Sequence, residues 1–486
     1  MDYISTRSID NKPGSRVTPS YAVLKGIAPD GGLYVPVEFP ELFSRMPDIS
    51  ALSYQALAFE VLSAFLTDFC TDELKRCISS AYTDTFDGDV APLCKVGENY
   101  FLELFHGRTS AFKDVALSIL PYLTMTSAEM NDLKDEPVIL TATSGDTGKA
   151  ALEAFSDVPG THIVVFFPED GVSDVQKLQM KTQTGSNVLV VGIDGNFDHA
   201  QAGVKAIFGD ATLSTLLKRK GYVLTSANSI NIGRLLPQVV YYYYAYGQLL
   251  KNGEISPGEE IDFTVPTGNF GNILAGWYAK QTGLPIGRLI CASNRNKVLY
   301  DFFNTQTYDK NRPFHKTASP SMDILISSNL ERFLYHKCGD TEYIRRLMAG
   351  LASDGMFDFV TDQDIIGSFA DEAETRIAIK EVYDQGYIID PHTSVAYSAY
   401  KKLGKLYRKN VIVTTASPYK FAKEVCSAIE GSSLDSFAAI DRLNELAKTV
   451  KYESAPPSIS ELKSKPVLHN RVCSVKDMSD EILRFL

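Results

Sequence analysis

From about residue 96 the chain repeats one unit, in which a short apolar run leads through a polar loop into a helical segment. The runs are rich in β-branched and aromatic residues and do not alternate with polar ones, which is typical of strands buried on both faces. Strands and helices in this order predict an open, mostly parallel α/β sheet. The units are a run at 137–142 before a helix at about 148–156, 162–167 before 173–184, 187–193 before 197–208, 222–225 before a helix from about 231, 262–265 before 271–282, and further strands at 289–292 and 410–415.

Other segments depart from this rhythm. Residues 1–95 hold a turn-rich stretch followed by helical patterns, and residues 310–380 are mainly helical. The chain after about 425 returns to helix and ends in a charged tail. We therefore expect an N-terminal domain over 1–95, a catalytic α/β region over 96–425 with a helical insertion at 310–380, and a C-terminal helical segment over 426–486.

Composition excludes several classes of protein. The net charge of −11 argues against broad binding to nucleic acid or to anionic lipid, so neither is expected as a partner. The seven cysteines form no CxxC pair, which favours free thiols in a reducing compartment and predicts no metal site. The longest apolar stretch, 235–250, is too short to span a bilayer, and the N-terminus lacks a secretory signal. We expect a cytoplasmic protein.

Ligands of such folds bind beyond the carboxyl ends of the strands, so the loops there are candidates for chemistry. In the loop 105–114, Lys113 lies between Phe112 and Asp114 at a helix start. The helix dipole disfavours a cation in this turn, and desolvation beside Phe112 would lower the pKa of the amine. Lys113 is thus a candidate for Schiff-base formation, the alternative being a solvated lysine.

Two further loops follow strands and open helices, at 141–148 and 265–272. Backbone N–H groups and hydroxyls at such helix starts form anion sites, although each loop could also be a simple turn with a cap. A Walker motif is excluded in the first loop because Thr143 replaces its glycine and Lys149 is not followed by Ser or Thr. A Rossmann fingerprint is excluded in the second loop by its glycine spacing.

The remaining loops carry single candidates. Arg234, within 226–237, could hold a carboxylate or phosphate bidentately, or form a structural ion pair. The loop 414–421 places a hydroxyl at a strand end, and His392 in 390–394 is as compatible with a buried structural histidine as with a functional one. The four tyrosines 241–244 point around a whole helix and indicate packing.

Taken together, these loops supply a lysine for an imine, a glycine loop for a phosphate, hydroxyls for a carboxylate and a hydroxyl for a neutral ring nitrogen. That set suits pyridoxal 5'-phosphate, the electron sink for carbanions next to an amino acid's nitrogen.

Over nearly its whole length the sequence resembles the threonine synthases, members of the fold-type II pyridoxal-phosphate enzymes. Each motif is moderately specific, and their order along the chain makes the set highly specific. The motifs are Tyr-Ile-Ser-Thr-Arg at 3–7, Gly-Ile-Ala-Pro-Asp-Gly-Gly-Leu-Tyr-Val-Pro at 26–36, His-Gly and Ala-Phe-Lys-Asp within 106–114, Thr-Ser-Gly-Asp-Thr-Gly at 143–148, Asn-Ser-Ile-Asn at 228–231 with Arg-Leu-Leu-Pro at 234–237, Pro-Thr-Gly-Asn-Phe-Gly at 266–271, Pro-Ser-Met-Asp-Ile at 320–324 and Ser-Ser-Asn-Leu-Glu-Arg-Phe at 327–333.

The resemblance implies a tryptophan synthase β-like fold: two lobes with open, mostly parallel sheets, an N-terminal threonine-synthase domain and a helical insertion. It implies that Lys113 forms the Schiff base with pyridoxal phosphate and acts as general base, and that Thr415 bonds the ring nitrogen. The other implied cofactor-binding residues are Phe112, Gly268, Asn269, Phe270, Gly271 and Asn272. The implied substrate-binding residues are Thr143, Ser144, Gly145, Asp146, Thr147 and Arg234.

The implied reaction converts O-phospho-L-homoserine and water into L-threonine and phosphate, in a monomer or homodimer. A serine or threonine dehydratase would share Lys113 but lack the N-terminal block, and an inactive relative would be expected to lose Lys113 or the glycine loop. The chain departs from the family pattern at Arg108, where proline is frequent, and at Ser417, where histidine is frequent. We expect these changes to affect the surroundings of the site and not the activity.

Overall fold

The computed structural model describes residues 1–9, 15–46, 48–83, 85–143, 145–169, 172–404 and 408–486. Its strands are β1 (Tyr3–Ser5), β2 (Tyr34–Pro36), β3 (Leu93–Val96), β4 (Asn99–Glu103), β5 (Glu136–Ala142), β6 (His162–Pro168), β7 (Val188–Ile193), β8 (Tyr222–Thr225), β9 (Ile261–Pro266), β10 (Ile286–Ser293), β11 (Thr307–Asp309), β12 (Met356–Asp358), β13 (Ile365–Phe369), β14 (Asn410–Thr414) and β15 (Val472–Cys473).

The α-helices are α1 (Pro19–Lys25), α2 (Tyr54–Phe65), α3 (Thr71–Ala81), α4 (Lys113–Leu117), α5 (Leu120–Met130), α6 (Asp146–Phe155), α7 (Asp174–Lys181), α8 (Phe197–Gly209), α9 (Ala211–Arg219), α10 (Ile232–Lys251), α11 (Gly271–Gln281), α12 (Val298–Thr305), α13 (Leu330–Cys338), α14 (Thr341–Ser353), α15 (Glu372–Asp384), α16 (Pro391–Lys402), α17 (Ala422–Glu430), α18 (Ser436–Val450), α19 (Pro457–Ser460) and α20 (Met478–Phe485). A 3-10 turn at Pro418–Phe421 follows β14.

Two sheets organise the chain. The larger sheet has the strand order β13-β10-β9-β14-β4-β3, and its pairs are parallel except for β3 with β4. The smaller sheet has the order β15-β7-β6-β5-β8 and is parallel throughout. The predicted α/β fold with two lobes of mostly parallel sheet is confirmed. Each lobe therefore gathers several strand-end loops along one edge of its sheet.

Alternating strand residues enter different cores, which explains why the predicted runs are apolar on both faces. In β14, Val411 and Val413 join a core with α10, α11 and the N-terminal helices, whereas Ile412 joins the core formed with α15 to α18. In β6, Val165 packs towards α6 and α7, and Val164 packs towards α8, α9 and α20. Both sheets are thus covered by helices on both faces.

Some elements differ from the sequence-based expectation. The span 310–380 is not helical throughout, because Ile365–Phe369 forms β13 at the edge of the larger sheet. The C-terminal segment returns to the smaller sheet through Val472–Cys473, and the expected boundary at residue 95 falls inside β3. β13 and β15 are short strands at sheet edges, each paired on one side. Their formation therefore depends on the neighbouring strand and not on a local sequence pattern. The helix expected from 148 begins earlier, at Asp146.

The four tyrosines 241–244 lie in α10, and their rings pack as expected. The side chains of Tyr241, Tyr242 and Tyr243 are fully buried, and Tyr244 is half-buried with its hydroxyl on Asp89. None of the described helices, α10 included, has both the length and the apolar character needed to cross a membrane. The cytoplasmic location stays a prediction of the sequence.

One buried cation ties the N-terminal elements to the larger lobe. Arg332, at the start of α13, has no solvent exposure and donates to the carbonyls of Tyr34 and Ile230 and to the side chain of Asn329. Its neighbour Glu331 accepts two hydrogen bonds from Arg7, at 2.8 and 2.7 Å. The Glu-Arg pair in the sequence therefore fixes β1, β2 and the loop before α10 relative to α13.

Replacement of Arg332 by leucine is expected to lower the free energy of unfolding by about 3 kcal/mol, because three buried acceptors would lose their donor. Denaturant unfolding followed by circular dichroism measures the change. The matched control is Arg346→Leu on α14, whose side chain is exposed and which should change stability by less than about 0.5 kcal/mol. Equal effects of the two substitutions would contradict a bridging role.

Candidate active site

Lys113 occupies the position expected from the sequence, as the first residue of α4 in the loop after β4. The residue is 9% exposed, its Nζ lies 3.5 Å from Asp146 Oδ2, and it sits 4.8 Å from the centroid of the Phe112 ring. The neighbouring Asp114 turns away and accepts from the backbone N–H of Thr109 at 2.8 Å. Lys113 is therefore buried, and it pairs with Asp146, which is far from it in sequence, and not with its neighbour Asp114.

Asp146 is the hub of the site. It begins α6, and its carboxylate is 4% exposed. Lys420 Nζ and Gln176 Nε2 donate to Oδ1 at 2.7 and 2.8 Å, and Ser321 Oγ donates to Oδ2 at 3.3 Å. Two ammonium groups, an amide and a hydroxyl from separate segments thus converge on one buried carboxylate.

The charges of this cluster shift its ionisation. Burial lowers the pKa of Lys113 more than Asp146 restores it, and the positive charges of Lys420 and Arg234 lower it further. Burial alone would raise the pKa of Asp146, but Lys420 and Lys113 reverse this and hold that pKa below its ordinary value. The site therefore combines an ionised carboxylate with an amine that gives up its proton readily.

The glycine loop after β9 forms a cradle at the start of α11. A Cβ on Gly268 would lie 2.6 Å from the carbonyl oxygen of Ser321, so only glycine fits there. Phe270 adopts φ +62°, and a Cβ on Gly271 would contact the side chain of Asn329 at 3.6 Å, so the loop turns closely against Asn329 into the start of α11. Such a helix start binds phosphate.

Neighbouring segments hold this loop in shape. Asn329 donates to the carbonyl of Asn269 through its backbone N–H at 3.2 Å and its amide at 2.9 Å. Ser327 Oγ donates to the carbonyl of Gly268 at 2.7 Å. The hydroxyl of Tyr242 donates to the side chain of Asn272 at 2.7 Å. The cradle is therefore rigid.

Two buried donors in this region have no protein partner among the described residues, namely the Asn272 side-chain amide nitrogen and Arg234 Nε. Arg234 Nη1 donates to the carbonyl of Ala227 at 2.7 Å. Burial lowers the pKa of Arg234 to about 10, so the guanidinium stays protonated at neutral pH. Unpaired buried donors fit anionic groups: Asn272 belongs to the glycine cradle and suits the phosphate of pyridoxal phosphate, and Arg234 suits a further anionic group.

Thr415 follows β14 and lies against the lysine loop. The backbone N–H of Phe112 donates to the carbonyl of Thr415 at 2.8 Å. The Thr415 side chain is buried, whereas the buried hydroxyl without a protein partner among the described residues is that of the preceding residue, Thr414. The contact with Phe112 places the segment of Thr415 beside the residue that precedes Lys113, where the resemblance expects the ring nitrogen.

The hydroxyl-rich loop at 143–148 is only partly available for a ligand. Thr143 Oγ1 accepts from the backbone N–H groups of Gly145 and Gly148 at 3.0 and 2.9 Å, so it caps α6. Thr147 is half-buried, and Ser144 lies outside the described residues. Of the loop positions predicted to surround the substrate, Asp146 faces Lys113 directly and Thr143 supports the helix start.

The remaining candidates have structural surroundings. His392 is buried, its Nδ1 lies 2.6 Å from Asp390 Oδ2, and its Nε2 accepts from the backbone N–H of Ser321 at 3.2 Å. It therefore positions Ser321 and has no free nitrogen. Arg108 is largely exposed and lies 3.6 Å from Glu153, and Ser417 caps the 3-10 turn after β14.

Several residues of this site carry no binding or catalytic role predicted from the sequence: Gln176, Tyr242, Ser321, Asn329 and Lys420. Two of the motifs quoted above contain Ser321 and Asn329, and the loop 414–421 contains Lys420, but no local pattern marks their contacts. These contacts join residues 30 to 311 positions apart in sequence, as Gln176 to Asp146 and Lys420 to Thr109 show.

The fold and the site define a two-lobed α/β enzyme of the pyridoxal-phosphate-dependent class. Two family descriptions match the chain: "Threonine synthase N terminus" over residues 2–82 and "Pyridoxal-phosphate dependent enzyme" over residues 94–417. The chain belongs to the threonine synthase family of pyridoxal-phosphate-dependent enzymes. The resemblance stated from the sequence motifs is thereby confirmed.

Individual relatives agree. The chain is 36% identical to threonine synthase of Schizosaccharomyces pombe, covering 89% of this chain and 90% of that protein. It is 39% identical to threonine synthase-like 1 of Pongo abelii, covering 94% of this chain but 64% of that protein, so it spans less than two thirds of that relative. The crystal structure of pyridoxal-phosphate-bound threonine synthase from Brucella melitensis superposes with a TM-score of 0.87 at 34% identity, covering 100% of this chain and 99% of that one.

Substitution of Asp146 by asparagine is expected to lower the free energy of unfolding by about 3 kcal/mol at pH 7, since two buried cations would lose their counter-ion. The folded-state pKa of Asp146 lies below its unfolded value. Its contribution is therefore fully present above about pH 4 and is lost as the pH falls towards the folded pKa. The difference between wild type and variant should shrink accordingly.

Urea unfolding at pH 7, at pH 4 and at about pH 2.5 measures this dependence, because the loss begins only below about pH 4. Asp132→Asn is the control, because its carboxylate is 93% exposed and should contribute little at any pH. If the difference in the free energy of unfolding between wild type and Asp146→Asn stays constant to below pH 4, the ionised form of Asp146 does not stabilise the fold.

Proposed function

We propose that this protein is a threonine synthase, a carbon–oxygen lyase that converts O-phospho-L-homoserine and water into L-threonine and phosphate. The family membership supports the reaction type, and the residues of the site suit a substrate with a phosphate, a carboxylate and an amine. The expected oligomeric state, monomer or homodimer, stays a prediction.

The observation that carries this proposal is the excess of buried positive charge. Two buried cations, Lys420 and Arg234, act on Lys113 together with the ionised carboxylate of Asp146, and only Lys420 of the two bonds that carboxylate among the described contacts. The nearby Asp114 compensates poorly, since burial raises its pKa and Thr109 takes both of its oxygens. Buried charge is costly unless paired, so the pocket favours two anionic groups: the cofactor phosphate and the phosphorylated amino acid.

Each part of the site has a role towards pyridoxal phosphate. Lys113 would hold its aldehyde carbon, the loop Gly268–Asn272 would receive its phosphate, and the ring would lie near Phe112 with Thr415 at its nitrogen. When bound, this cofactor supplies an electron sink for bonds at an amino acid's α-carbon. Because Thr415 is a neutral hydroxyl, it can bond the ring nitrogen without giving it a full proton.

The remaining groups act on the substrate. Lys113 is the base already in place to take the proton from Cα, and its lowered pKa favours the neutral amine that this needs. The loop Thr143–Thr147 would receive the substrate carboxylate at the start of α6. Arg234, with its free Nε, would bind the substrate phosphate. Lys113, Asp146 and Arg234 are buried, which limits the access of bulk water to them.

The three-part division of the chain is also a proposal, with the first boundary moved ahead of β3. The N-terminal elements share one core with α10, and Tyr3, Leu62 and Tyr241 are all fully buried in it. This core supports the view that the N-terminal domain stabilises the helix whose start carries Arg234.

Replacement of Lys113 by alanine is expected to abolish both the visible absorbance of the lysine-bound cofactor and the release of phosphate from O-phospho-L-homoserine. Wild type should form phosphate and threonine in equal amounts. Lys134→Ala is the control, since its side chain is 86% exposed and lies outside the site.

Each possible result has a distinct meaning. Visible absorbance without phosphate release would retain the cofactor and favour a dehydratase-type lyase acting on another amino acid. Absence of this absorbance in the wild type, even after addition of pyridoxal phosphate, would reject the assignment of Lys113 and the proposed reaction together.

Substitution of Arg234 by methionine is expected to raise the KM for O-phospho-L-homoserine by about 10- to 100-fold, the value of a charge-assisted hydrogen bond. The cofactor absorbance should persist. Arg219→Met, an exposed arginine at the end of α9, serves as the control. An unchanged KM in the Arg234 variant would assign the substrate phosphate to other donors.

A further inference from the structure

Lys420 is a second buried lysine at the site. It lies in the 3-10 turn after β14, and its side chain has no solvent exposure. Its Nζ donates to Asp146 Oδ1 at 2.7 Å and to the backbone carbonyl of Thr109 at 2.8 Å. An ammonium group in such a place loses its hydration, so these two acceptors define where it can sit.

The segment that carries Lys420 runs along the segment that carries Lys113. The backbone N–H of Leu104 donates to the carbonyl of Thr414 at 3.0 Å, and Ser417 donates its N–H to the carbonyl of Ser110 at 3.0 Å. Together with the Phe112 to Thr415 bond, these contacts join the two segments over the residues that lead up to Lys420. The Lys420 side chain therefore adds a cross-link between the lysine loop and Asp146.

We propose that Lys420 is a positioning residue for Lys113: it occupies one oxygen of Asp146 and the Thr109 carbonyl, and thereby sets both the place and the proton affinity of the Lys113 amine. The inference rests on the proposed function only in taking Lys113 as the reactive amine. Lys420 touches neither cofactor nor substrate in this role, so it acts through Asp146.

The direction of the effect follows from the charges present. Lys113 faces Asp146 on α6, Lys420 on the 3-10 turn and Arg234 on α10. Lys420 itself faces Asp146 and, through Thr109, Asp114. Without Lys420, Asp146 would offer its whole charge to Lys113, and the repulsion between the two ammonium groups would vanish. Both changes favour the protonated form of Lys113.

A purely structural lysine would behave differently. Its loss would lower stability but leave the proton affinity of Lys113 unchanged in molecules that remain folded. The measurement must therefore follow Lys113 itself, and not only turnover.

The test uses the full chain without added substrate, stripped of cofactor, as wild type and as Lys420→Arg, Lys420→Gln and Lys420→Met. Trace labelling with an amine-acylating reagent between pH 6 and 11, read by mass spectrometry, gives the pH midpoint of Lys113. The exposed Lys134 in the same molecules is the internal reference. Circular dichroism confirms that each variant is folded.

The Gln and Met variants are expected to move the Lys113 midpoint upward by about one pH unit, which slows labelling at pH 8 about tenfold. The Arg variant keeps the charge and should stay near wild type. Lys134 should titrate identically in all four proteins. If the Met variant does not fold, the Gln variant, which retains a donor without the charge, decides the question.

An unchanged Lys113 midpoint in a folded Gln or Met variant would overturn the proposal, as would an upward move in the Arg variant equal to that in Met. The assay needs no O-phospho-L-homoserine. A wild type that releases no phosphate, but whose Lys113 responds to Lys420 as expected, would thus reject the proposed reaction and retain the positioning role.

Discussion

The carboxylate of Asp146 carries a buried negative charge that two lysines share, and the rest of the site is arranged around this charge. A carboxylate buried in protein is destabilising unless several donors compensate it, and here they come from α4, α7, the segment before α13 and the turn after β14. Asp146 belongs to the lobe of the smaller sheet, whereas Lys420 and Ser321 belong to the other lobe. The ion cluster therefore fixes the two lobes at the point where Lys113 lies.

A second series of contacts fixes the glycine cradle from the opposite side. Arg332 bonds the side chain of Asn329, which holds the carbonyl of Asn269. Because Arg332 also bonds the carbonyl of Tyr34, the N-terminal domain reaches the glycine loop through a continuous set of buried hydrogen bonds. Ser321 connects the glycine cradle to the carboxylate that pairs with Lys113. Its carbonyl lies against Gly268, and its hydroxyl bonds Asp146. Rigid support of this kind leaves the unpaired donors free for ligands.

Much of this could be predicted from the sequence. The apolar runs predicted seven strands of the two sheets, β5 to β10 and β14, and the position of a lysine in a first helical turn singled out Lys113. The glycine loop was recognisable because β9, the glycines and the start of α11 follow one another directly in the chain. By contrast, β3, β4, β13 and β15 were missed. Of these, β3, β13 and β15 are short strands at sheet edges, which depend on a neighbour for their pairing. Lys420 was missed because nothing in its local pattern indicates that its partner is Asp146.

The sequence by itself determined which elements form and which loops carry hydroxyls, glycines and the lysine, because these are local properties of period, turn chemistry and residue type. Only the tertiary structure decided which charges meet. Asp146 in a helix start was predicted to face the substrate, but the structure shows that it is the common partner of Lys113 and Lys420. The reason is physical: the proton affinity of a buried amine depends on charges brought from distant parts of the chain, and their distances exist only once the lobes have packed.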